Sequence, residues 1–255
     1  IDEVHAADEY METYLEAALT WLGMYGIPVV LLSATLPPAR RRALLEAYRR
    51  GRGSSGEGAE SVEGVIGYPV ISTLSAAGVH VHEITGEAEA PKRIIPTSLG
   101  SPGEIAKLLE RELANGGCAV VIRNTVREAQ ETYDAVKAVF GREQTTLLHS
   151  RFLAAERVSR DRRMLELFGK GATRRPQRHV VVATQVIEQS LDVDFDLMLT
   201  DPAPMDLILQ RIGRLHRHER ADRPAGLREA RCLVVVEDLF AVPWAYSTGT
   251  DHVYS

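Results

Sequence analysis

Two adjacent carboxylates followed by a histidine stand at the beginning of the chain, at Asp2, Glu3 and His5. Such a pair suits metal-assisted phosphate chemistry, because one carboxylate can hold Mg²⁺ through its water shell while the next accepts a proton from the attacking water. Taken alone, the same residues are more simply explained as the solvated, acidic start of a helix. Their interpretation therefore depends on the rest of the chain.

An arginine-rich segment near the other end of the chain, at 210–218, is the strongest single element. Arg211, Arg214 and Arg217 recur every three residues, and Gly213 interrupts the helix, so Arg214 and Arg217 can both project into a cleft. Guanidinium groups placed in this way neutralise charge on a transferring phosphoryl group, and one such arginine can raise a rate by ~10³–10⁵. The alternative is a solvated basic helix end. Together, the acidic box and this segment suggest a nucleotide site split between two domains.

Small polar side chains follow several apolar runs that are typical of buried strands. They are Ser33 and Thr35, Asn124 and Thr125, His149, Ser150 and Arg151, and Thr184 and Gln185. Hydroxyls at 33–35 could relay hydrogen bonds from a metal site, and polar groups at helix starts bind phosphate well. Ordinary capping of strands and helices explains the same residues without a ligand. Further along, Glu188, Gln189 and Asp192 could contact a ribose, a phosphate or the later arginines.

Hydrophobic periodicity predicts the elements that must position these groups. Helices are expected at 6–24, 37–48, 101–116, 125–140, 153–168 and 205–213, and strands at 29–32, 118–122, 145–149, 179–183, 196–200 and 231–236, with shorter strand-like runs at 69–98. Strands alternating with helices indicate a parallel α/β sheet covered on both faces, whose chemistry belongs at the carboxyl ends of the strands. The Gly-, Ser- and Glu-rich stretch 51–67 is predicted to be a mobile loop.

The composition is that of an ordinary globular protein, with 45% hydrophobic and 25% charged residues among 255. The formal net charge is −5, so any nucleic-acid binding must use a local basic face. Cys118 and Cys232 flank apolar runs, which predicts buried thiols in a reducing compartment. No apolar stretch approaches the length of a membrane span. The arginines between Arg40 and Arg52 are most simply explained as the surface of an exposed helix.

Taken in order, these elements resemble the later motifs of superfamily 2 helicases of the DEAH-like branch. The acidic box is similar to motif II, 33–35 to motif III, 121–125 to motif IV, 183–192 to motif V and 210–217 to motif VI. The order of the matches is far more specific than any one of them. The segments 148–152 and 184–192 and the His-Arg-His end of motif VI also resemble the helicase-nuclease of type I CRISPR interference systems.

The resemblance implies a catalytic set for the hydrolysis of ATP with Mg²⁺, made of Asp2, Glu3, His5, Gln210, Arg214 and Arg217. Asp2 would hold the metal ion and Glu3 would activate the attacking water. His5 and Gln210 would couple the γ-phosphate to domain closure. The arginine fingers would be Arg214 and Arg217.

The resemblance also implies binding residues around this set. Asp192 would face the nucleotide ribose or the fingers, Arg211 would contact the nucleotide, and Ser33 and Thr35 would couple the metal site to a bound strand. The residues that would grip single-stranded DNA are Asn124, Thr125, His149, Ser150, Arg151, Thr184 and Gln185.

The chain departs from the family pattern because it holds no G-x-x-x-x-G-K-[ST] loop, and 169–171 lacks both the upstream glycine and the following hydroxyl. We therefore expect the lysine loop, the adenine-reading glutamine and a histidine–aspartate nuclease domain upstream in a longer protein, and almost no ATP hydrolysis by this chain alone. The expected organisation is an incomplete first RecA-like domain at 1–90, a nearly complete second one at 91–240 and the start of a linker at 241–255.

The implied function is ATP-driven, 3′-to-5′ translocation on single-stranded DNA in the prokaryotic cytoplasm. The protein would act as a monomer with a guide-RNA surveillance complex and degrade foreign DNA. Two alternatives stay open, namely another DEAH-like helicase that acts on RNA or in repair, and a non-catalytic nucleic-acid-binding fragment. The 2′-hydroxyl separates RNA from DNA, and no residue of the sequence can be assigned to reading it.

Overall fold

The computed structural model describes residues 1–4, 9–33, 36–53, 69–75, 77–84, 91–151, 154–188, 191–237 and 239. The chain divides into two compact units, Ile1–Glu89 and Ala90–Ser255. Most of the predicted loop at 51–67 and all of the predicted linker at 241–255 lie outside the described residues. Within the described part of the chain, none of the helices combines the length and the apolar character that crossing a membrane requires.

Two helices that pack on each other are the longest described elements of the first unit, α1 (Glu9–Met24) and α2 (Pro38–Gly51). They cross closely because Gly23 and Gly51 lack side chains, and a Cβ on either would lie 2.2 Å or less from a backbone oxygen of the other helix. Arg40 of α2 bonds to Glu12 and Glu16 of α1 at 3.1 and 2.5 Å. This arginine therefore joins two helices, whereas the sequence predicts only an exposed basic surface.

Residues 29–32 differ from the predicted buried strand. They are extended and lie beside residues 1–4, where the Val4 amide donates to the Leu32 carbonyl oxygen at 3.2 Å. Alternate side chains are exposed, and Val30 retains 69% of its accessible surface. Within this part of the protein the predicted burial is therefore met on one face only, where Val29 and Leu31 pack against the helices.

A hairpin completes the described elements of the first unit. Its strands are β1 (Val70–Ser75) and β2 (Gly78–Glu83), which pair antiparallel. The prediction of short strands in this region is confirmed, and β2 matches the predicted run at 79–84 closely.

Six strands form the sheet of the second unit: β3 (Arg93–Ser98), β4 (Gly117–Ile122), β5 (Thr145–Leu148), β6 (Arg178–Ala183), β7 (Leu197–Thr200) and β8 (Arg231–Val236). The spatial order is β3-β8-β7-β4-β6-β5, and every pair is parallel. Pro96 lies in β3, an edge strand, where a residue without an N–H is tolerated.

Helices cover both faces of this sheet. One face packs against α3 (Pro102–Glu112) and α4 (Val126–Phe140), and the other against α5 (Ala154–Phe168) and α6 (Met205–Ile212). Residues of β4 alternate between the two cores and are completely buried, including Cys118. The prediction of a parallel α/β sheet covered on both faces is thus confirmed, and Cys118 and Cys232 are buried free thiols as expected.

Candidate functional site

The acidic box of the first unit lies beside the extended run at 29–32 that leads to Ser33. Asp2 and Glu3 are both exposed, and an Asp2 carboxylate oxygen accepts the Glu3 amide hydrogen at 2.9 Å. Glu3 has φ 55°, a left-handed conformation that is uncommon outside glycine. The other predicted residues of this group, His5 and Thr35, lie outside the described residues.

Asp2 has the chemistry that a magnesium site of a nucleotide enzyme needs. Mg²⁺ usually keeps several waters and takes one or two carboxylates together with phosphate oxygens, so a dedicated protein cage is not required. Among the described residues, no group of three or more His, Cys, Asp or Glu side chains could hold a metal ion. An exposed aspartate next to an exposed glutamate therefore fits Mg²⁺ that arrives with a nucleotide.

In the second unit, the predicted binding residues gather at one edge of the sheet. The strand β4 leads into Asn124 and Thr125, β5 into 149–151 and β6 into Thr184 and Gln185. Because neighbouring strands are parallel, their carboxyl ends meet at the same edge, as the sequence predicts. The arginine-rich segment begins in α6, whose sequence follows β7, and reaches this edge through contacts with Asn124 and Glu188.

Arg211 lies at the centre of this edge and is completely buried. Its guanidinium donates to Glu188 Oε1 at 2.6 Å and to Thr200 Oγ1 at 2.6 Å, and it also reaches Asn124 Oδ1 at 3.4 Å. A further bond goes to the carbonyl oxygen of Asp201 at 3.1 Å. Arg211 thus joins the residues that follow β4, β6 and β7. This geometry gives Arg211 a structural role, because its buried guanidinium presents no surface to a nucleotide.

Glu188 connects two of the three arginines of the segment. Its carboxylate takes the bond from Arg211, and its backbone carbonyl accepts a hydrogen bond from Arg214 at 2.8 Å. Burial raises the pKa of the Glu188 carboxyl, and the neighbouring guanidinium of Arg211 acts in the opposite direction. The loop after β6 is therefore fixed to the segment after β7 by charged hydrogen bonds, which are about twice as strong as neutral ones.

Arg217 is the exposed arginine of the segment. Its side chain retains 40% of its accessible surface, and its Nε donates to Asp192 Oδ1 at 2.5 Å. His218 Nε2 lies 3.0 Å from the same oxygen. The bond from Arg217 lowers the pKa of Asp192, with a further contribution from His218. An ionised, solvent-exposed pair of this kind can exchange the carboxylate for a phosphate.

The side chains of three predicted DNA-binding residues form hydrogen bonds within the second unit. Thr125 caps α4 by accepting the Glu128 amide hydrogen and donating to its carboxylate, at 3.2 and 2.6 Å. Asn124 donates to the Pro202 carbonyl oxygen at 2.8 Å, and Gln185 donates to the Asn124 carbonyl oxygen at 3.0 Å. These contacts order the loops at the carboxyl edge.

The loop after β5 contains the accessible members of the predicted set. Ser150 and Arg151 are exposed, whereas His149 and Thr184 are buried. Burial lowers the pKa of His149, and the nearby positive charges of Arg160 and Arg151 act in the same direction. His149 is therefore neutral at pH 7, so Arg151 supplies the charge that this loop offers to a ligand.

Asp201 is a central residue that the sequence analysis missed. It is buried, and its Oδ2 accepts from Arg123 Nε at 3.0 Å and from the Asn124 amide at 2.8 Å. Burial raises the pKa of Asp201, and Arg123 opposes that shift. The signal in the sequence is its place directly after β7, at the same carboxyl edge as the residues that follow β4, β5 and β6.

A pocket beside Asp201 and Arg123 is lined by these two residues and by Asn124, Glu128 and Glu237. Its lining therefore carries three carboxyl groups and one guanidinium. That balance of charge does not favour a phosphate, so this pocket adds nothing to the candidate DNA contacts.

The second unit has the architecture of a RecA-like helicase domain, with a covered parallel sheet and an arginine-rich segment that begins in α6. Residues 115–220 match the family model for the CRISPR-associated nuclease/helicase Cas3, C-terminal.

Relatives match nearly the whole chain. CRISPR-associated nuclease/helicase Cas3 of Streptococcus thermophilus is 40% identical over 237 residues, which are 92% of this chain and 25% of that protein. The structure of T. fusca Cas3-ATP has a TM-score of 0.83 and 34% identity, over 95% of this chain and 30% of that chain. A chain of a CRISPR RNA-guided surveillance complex, pre-nicking, has a TM-score of 0.82 and 35% identity, over 98% of this chain and 32% of that chain.

The chain is thereby identified as a homologue of the CRISPR-associated Cas3 nuclease/helicases, and the part that it matches is their helicase segment. It spans about a quarter of the length of the curated relatives that it matches.

Proposed function

We propose that the protein carrying this chain is an ATP-dependent helicase of CRISPR interference that moves 3′ to 5′ along single-stranded DNA. A separate nuclease domain would degrade the foreign DNA. The observation that carries the proposal is the exposed Arg217–Asp192 pair. A phosphate can replace the Asp192 carboxylate as the partner of the Arg217 guanidinium. The names of the relatives support the proposal, since they include a nuclease/helicase and a Cas3-ATP structure.

The acidic box would prepare the water that attacks ATP. Asp2 would hold Mg²⁺, which when bound supplies positive charge at the phosphate oxygens. Glu3 would accept a proton from the attacking water, and its exposure leaves room for that water. Ser33 and Thr35 would connect this site to the bound strand, and His5 would respond to the γ-phosphate.

The arginine-rich segment would stabilise the charge that develops during phosphoryl transfer. Arg217 would release the Asp192 carboxylate and bind the γ-phosphate. Arg214, which donates to the Glu188 carbonyl oxygen, would supply a second positive charge. Gln210 would respond to the γ-phosphate, and Asp192 would then be free to face the ribose. Arg211 would contribute from the interior by fixing the loop that carries Glu188.

Single-stranded DNA would lie along the carboxyl edge of the sheet. Arg151 and Ser150 would contact phosphates directly, and neutral His149 would support the same loop. The buried residues Asn124 and Thr184 and the half-buried Thr125 and Gln185 would fix the backbone amides that complete the phosphate contacts. Affinity for DNA would therefore decrease as the salt concentration rises.

The remaining features concern the assembled protein. The protein would act in the prokaryotic cytoplasm as a monomer that a guide-RNA surveillance complex recruits, since one similar chain comes from such a complex. The 255 residues alone would hydrolyse almost no ATP, because their sequence contains no lysine loop to cradle the phosphates.

The proposal is tested by the ATPase activity of the full-length protein with and without single-stranded DNA. DNA should stimulate hydrolysis, and Glu3→Gln should lower kcat by about 10²–10⁴-fold, the contribution expected of a general base. Glu83→Gln, an exposed acid at the end of β2, is the matched control and should retain full activity.

Two results would contradict the proposal. Stimulation by RNA in place of DNA would favour another DEAH-like helicase. Salt-dependent strand binding without any ATPase activity, unaffected by Glu3→Gln and Arg217→Ala, would favour a non-catalytic nucleic-acid-binding protein.

A further inference from the structure

A second group of buried charges lies where the chain enters β7, away from the carboxyl edge of the sheet. We call it the Asp194 cluster; it consists of Asp194, Asp196, Arg175, Arg220 and Arg223. Asp194 is completely buried and Asp196 is 2% exposed. No motif of the proposed helicase includes the three arginines, so the nucleotide site leaves the cluster without a role.

The hydrogen bonds of Asp194 are nearly all charged. Arg223 Nη2 lies 2.8 and 3.0 Å from its two oxygens, and Arg220 Nε lies 2.5 Å from one of them. Burial acts to raise the pKa of Asp194, but the bonds from these two arginines outweigh it and hold the pKa below its usual range. The carboxylate is therefore ionised and fixed in one orientation.

Asp194 and Arg223 also hold the backbone next to Arg217. The His218 amide donates to Asp194 Oδ1 at 3.3 Å, and Arg223 Nη2 donates to the His218 carbonyl oxygen at 2.8 Å. The first of these bonds fixes the peptide group that links Arg217 to His218. The pair of Asp194 and Arg223 thus determines where the backbone of Arg217 lies.

The turn before Arg217 requires such support. His216 has φ 48°, a left-handed conformation that is unfavourable for a residue with a side chain and persists only where the surroundings enforce it. The His216 amide donates to the Phe195 carbonyl oxygen at 3.0 Å, and Phe195 donates to the Arg214 carbonyl oxygen at 3.0 Å. The segment after α6 is therefore held against 194–196 on both sides of Arg217.

Stability alone does not account for this arrangement. Well-packed apolar residues often stabilise a protein as much as a buried ion pair does, because removing charges from water is costly. What an apolar replacement cannot supply is the forked, directional contact that fixes one peptide group. A displacement of about 1 Å at a catalytic group can lower a rate by about 10²-fold.

We propose that Asp194 and Arg223 are positioning residues for Arg217, acting through the backbone of His218. The proposal rests on the proposed function, because it assigns Arg217 to ATP hydrolysis. Neither residue touches the nucleotide, and the effect of each on hydrolysis passes through Arg217.

The test is a double-mutant cycle in the full-length protein. Arg223→Lys keeps the charge but loses the fork, and it should lower kcat for ATP by about 10- to 100-fold without changing KM. In an Arg217→Ala background, the same substitution should cause no further loss, because the two residues act on one step. Arg231→Lys is the matched control, since Arg231 forms a comparable pair with Glu112 at 2.6 Å, and it should leave kcat unchanged.

Hydrogen exchange supplies a readout that does not depend on activity. Arg223→Lys should accelerate amide exchange in a peptide spanning 213–223, and Arg231→Lys should not. If Arg223→Lys does not fold, Asp194→Asn replaces it in both experiments, with the same expected results.

The outcomes separate the two proposals. Unchanged exchange at 213–223, or losses of kcat that multiply in the double variant, would overturn the positioning of Arg217. Accelerated exchange in a protein whose kcat does not respond to Arg217→Ala would instead overturn the role of Arg217 in the proposed function, and with it the catalytic effect of the cluster.

Discussion

Arg211 and Arg217 belong to the same short segment, yet their surroundings give them different roles. Arg211 is completely buried and donates to acceptors on the residues that follow three strands. Arg217 is 40% exposed, and its principal partner is one exposed carboxylate. A guanidinium whose donors are already satisfied inside the protein cannot turn to a ligand, whereas one held by a solvated carboxylate can. Burial, rather than residue type, therefore separates the framework of this motif from its chemistry.

The largest effect that this comparison predicts is on catalysis. Arg217→Ala should lower kcat for DNA-stimulated ATP hydrolysis by about 10³-fold or more in the full-length protein, because it removes a positive charge from the transferring phosphoryl group. The free energy of unfolding should change by less than about 1 kcal/mol, as is usual for an exposed pair. Steady-state kinetics and thermal unfolding of the same preparation measure both quantities. Full activity in the variant would refute the role of Arg217 and remove the basis of the comparison.

The next effect is on stability. Arg211→Ala leaves Glu188 as a buried acid without its guanidinium, and breaking a buried pair in this way usually costs 3–5 kcal/mol, so we expect a loss of about 4 kcal/mol. Chemical denaturation followed by circular dichroism measures the loss, with Arg217→Ala as the matched control. Equal stability of the two variants would show that burial does not distinguish the two arginines.

The smallest effect is a difference in pH dependence between the acids that face the two arginines. Glu188 has a raised pKa, so the wild type should lose stability relative to Glu188→Gln as the pH rises from about 4.3 through the folded-state pKa. Asp192 has a lowered pKa, so its contribution relative to Asp192→Asn should be complete above about 3.9 and disappear as the pH falls through the folded-state pKa.

Thermal midpoints of the wild type and both variants, measured from about pH 3 to about pH 7, test these opposite signs. Because Asp192 is mostly solvated, its effect should be small and should weaken further at high salt. A Glu188 difference with the same slope as the Asp192 difference would contradict the assigned pKa directions.

The sequence was sufficient for the elements of the second unit, since each strand and helix there has its own apolar pattern and turn residues. The carboxyl edge was also predictable, because parallel strands bring their ends together regardless of loop details. Burial was harder to predict, as 29–32 and Arg211 show, because it depends on what packs against a segment. The partners of Asp194 were not predictable, since Arg175, Arg220 and Arg223 lie far from it in the sequence and no local pattern records such pairing.

The strand order has a consequence for synthesis of the protein. Although β3 is the first described strand of the second unit, its one partner among the described strands is β8, the last of them. Ribosomes add about 5–20 residues per second, so roughly ten seconds pass between the synthesis of β3 and that of β8. Until then, the backbone groups of β3 that face β8 have no partner strand. During that interval Ile94 and Ile95 stand on an unpaired edge. The opposite edge of β3 is protected differently: Arg93 and Leu99 direct their amides to Ala230 and Val236, so the alternating position of Pro96 removes an N–H from the outer edge and makes that edge a poorer template for a second chain.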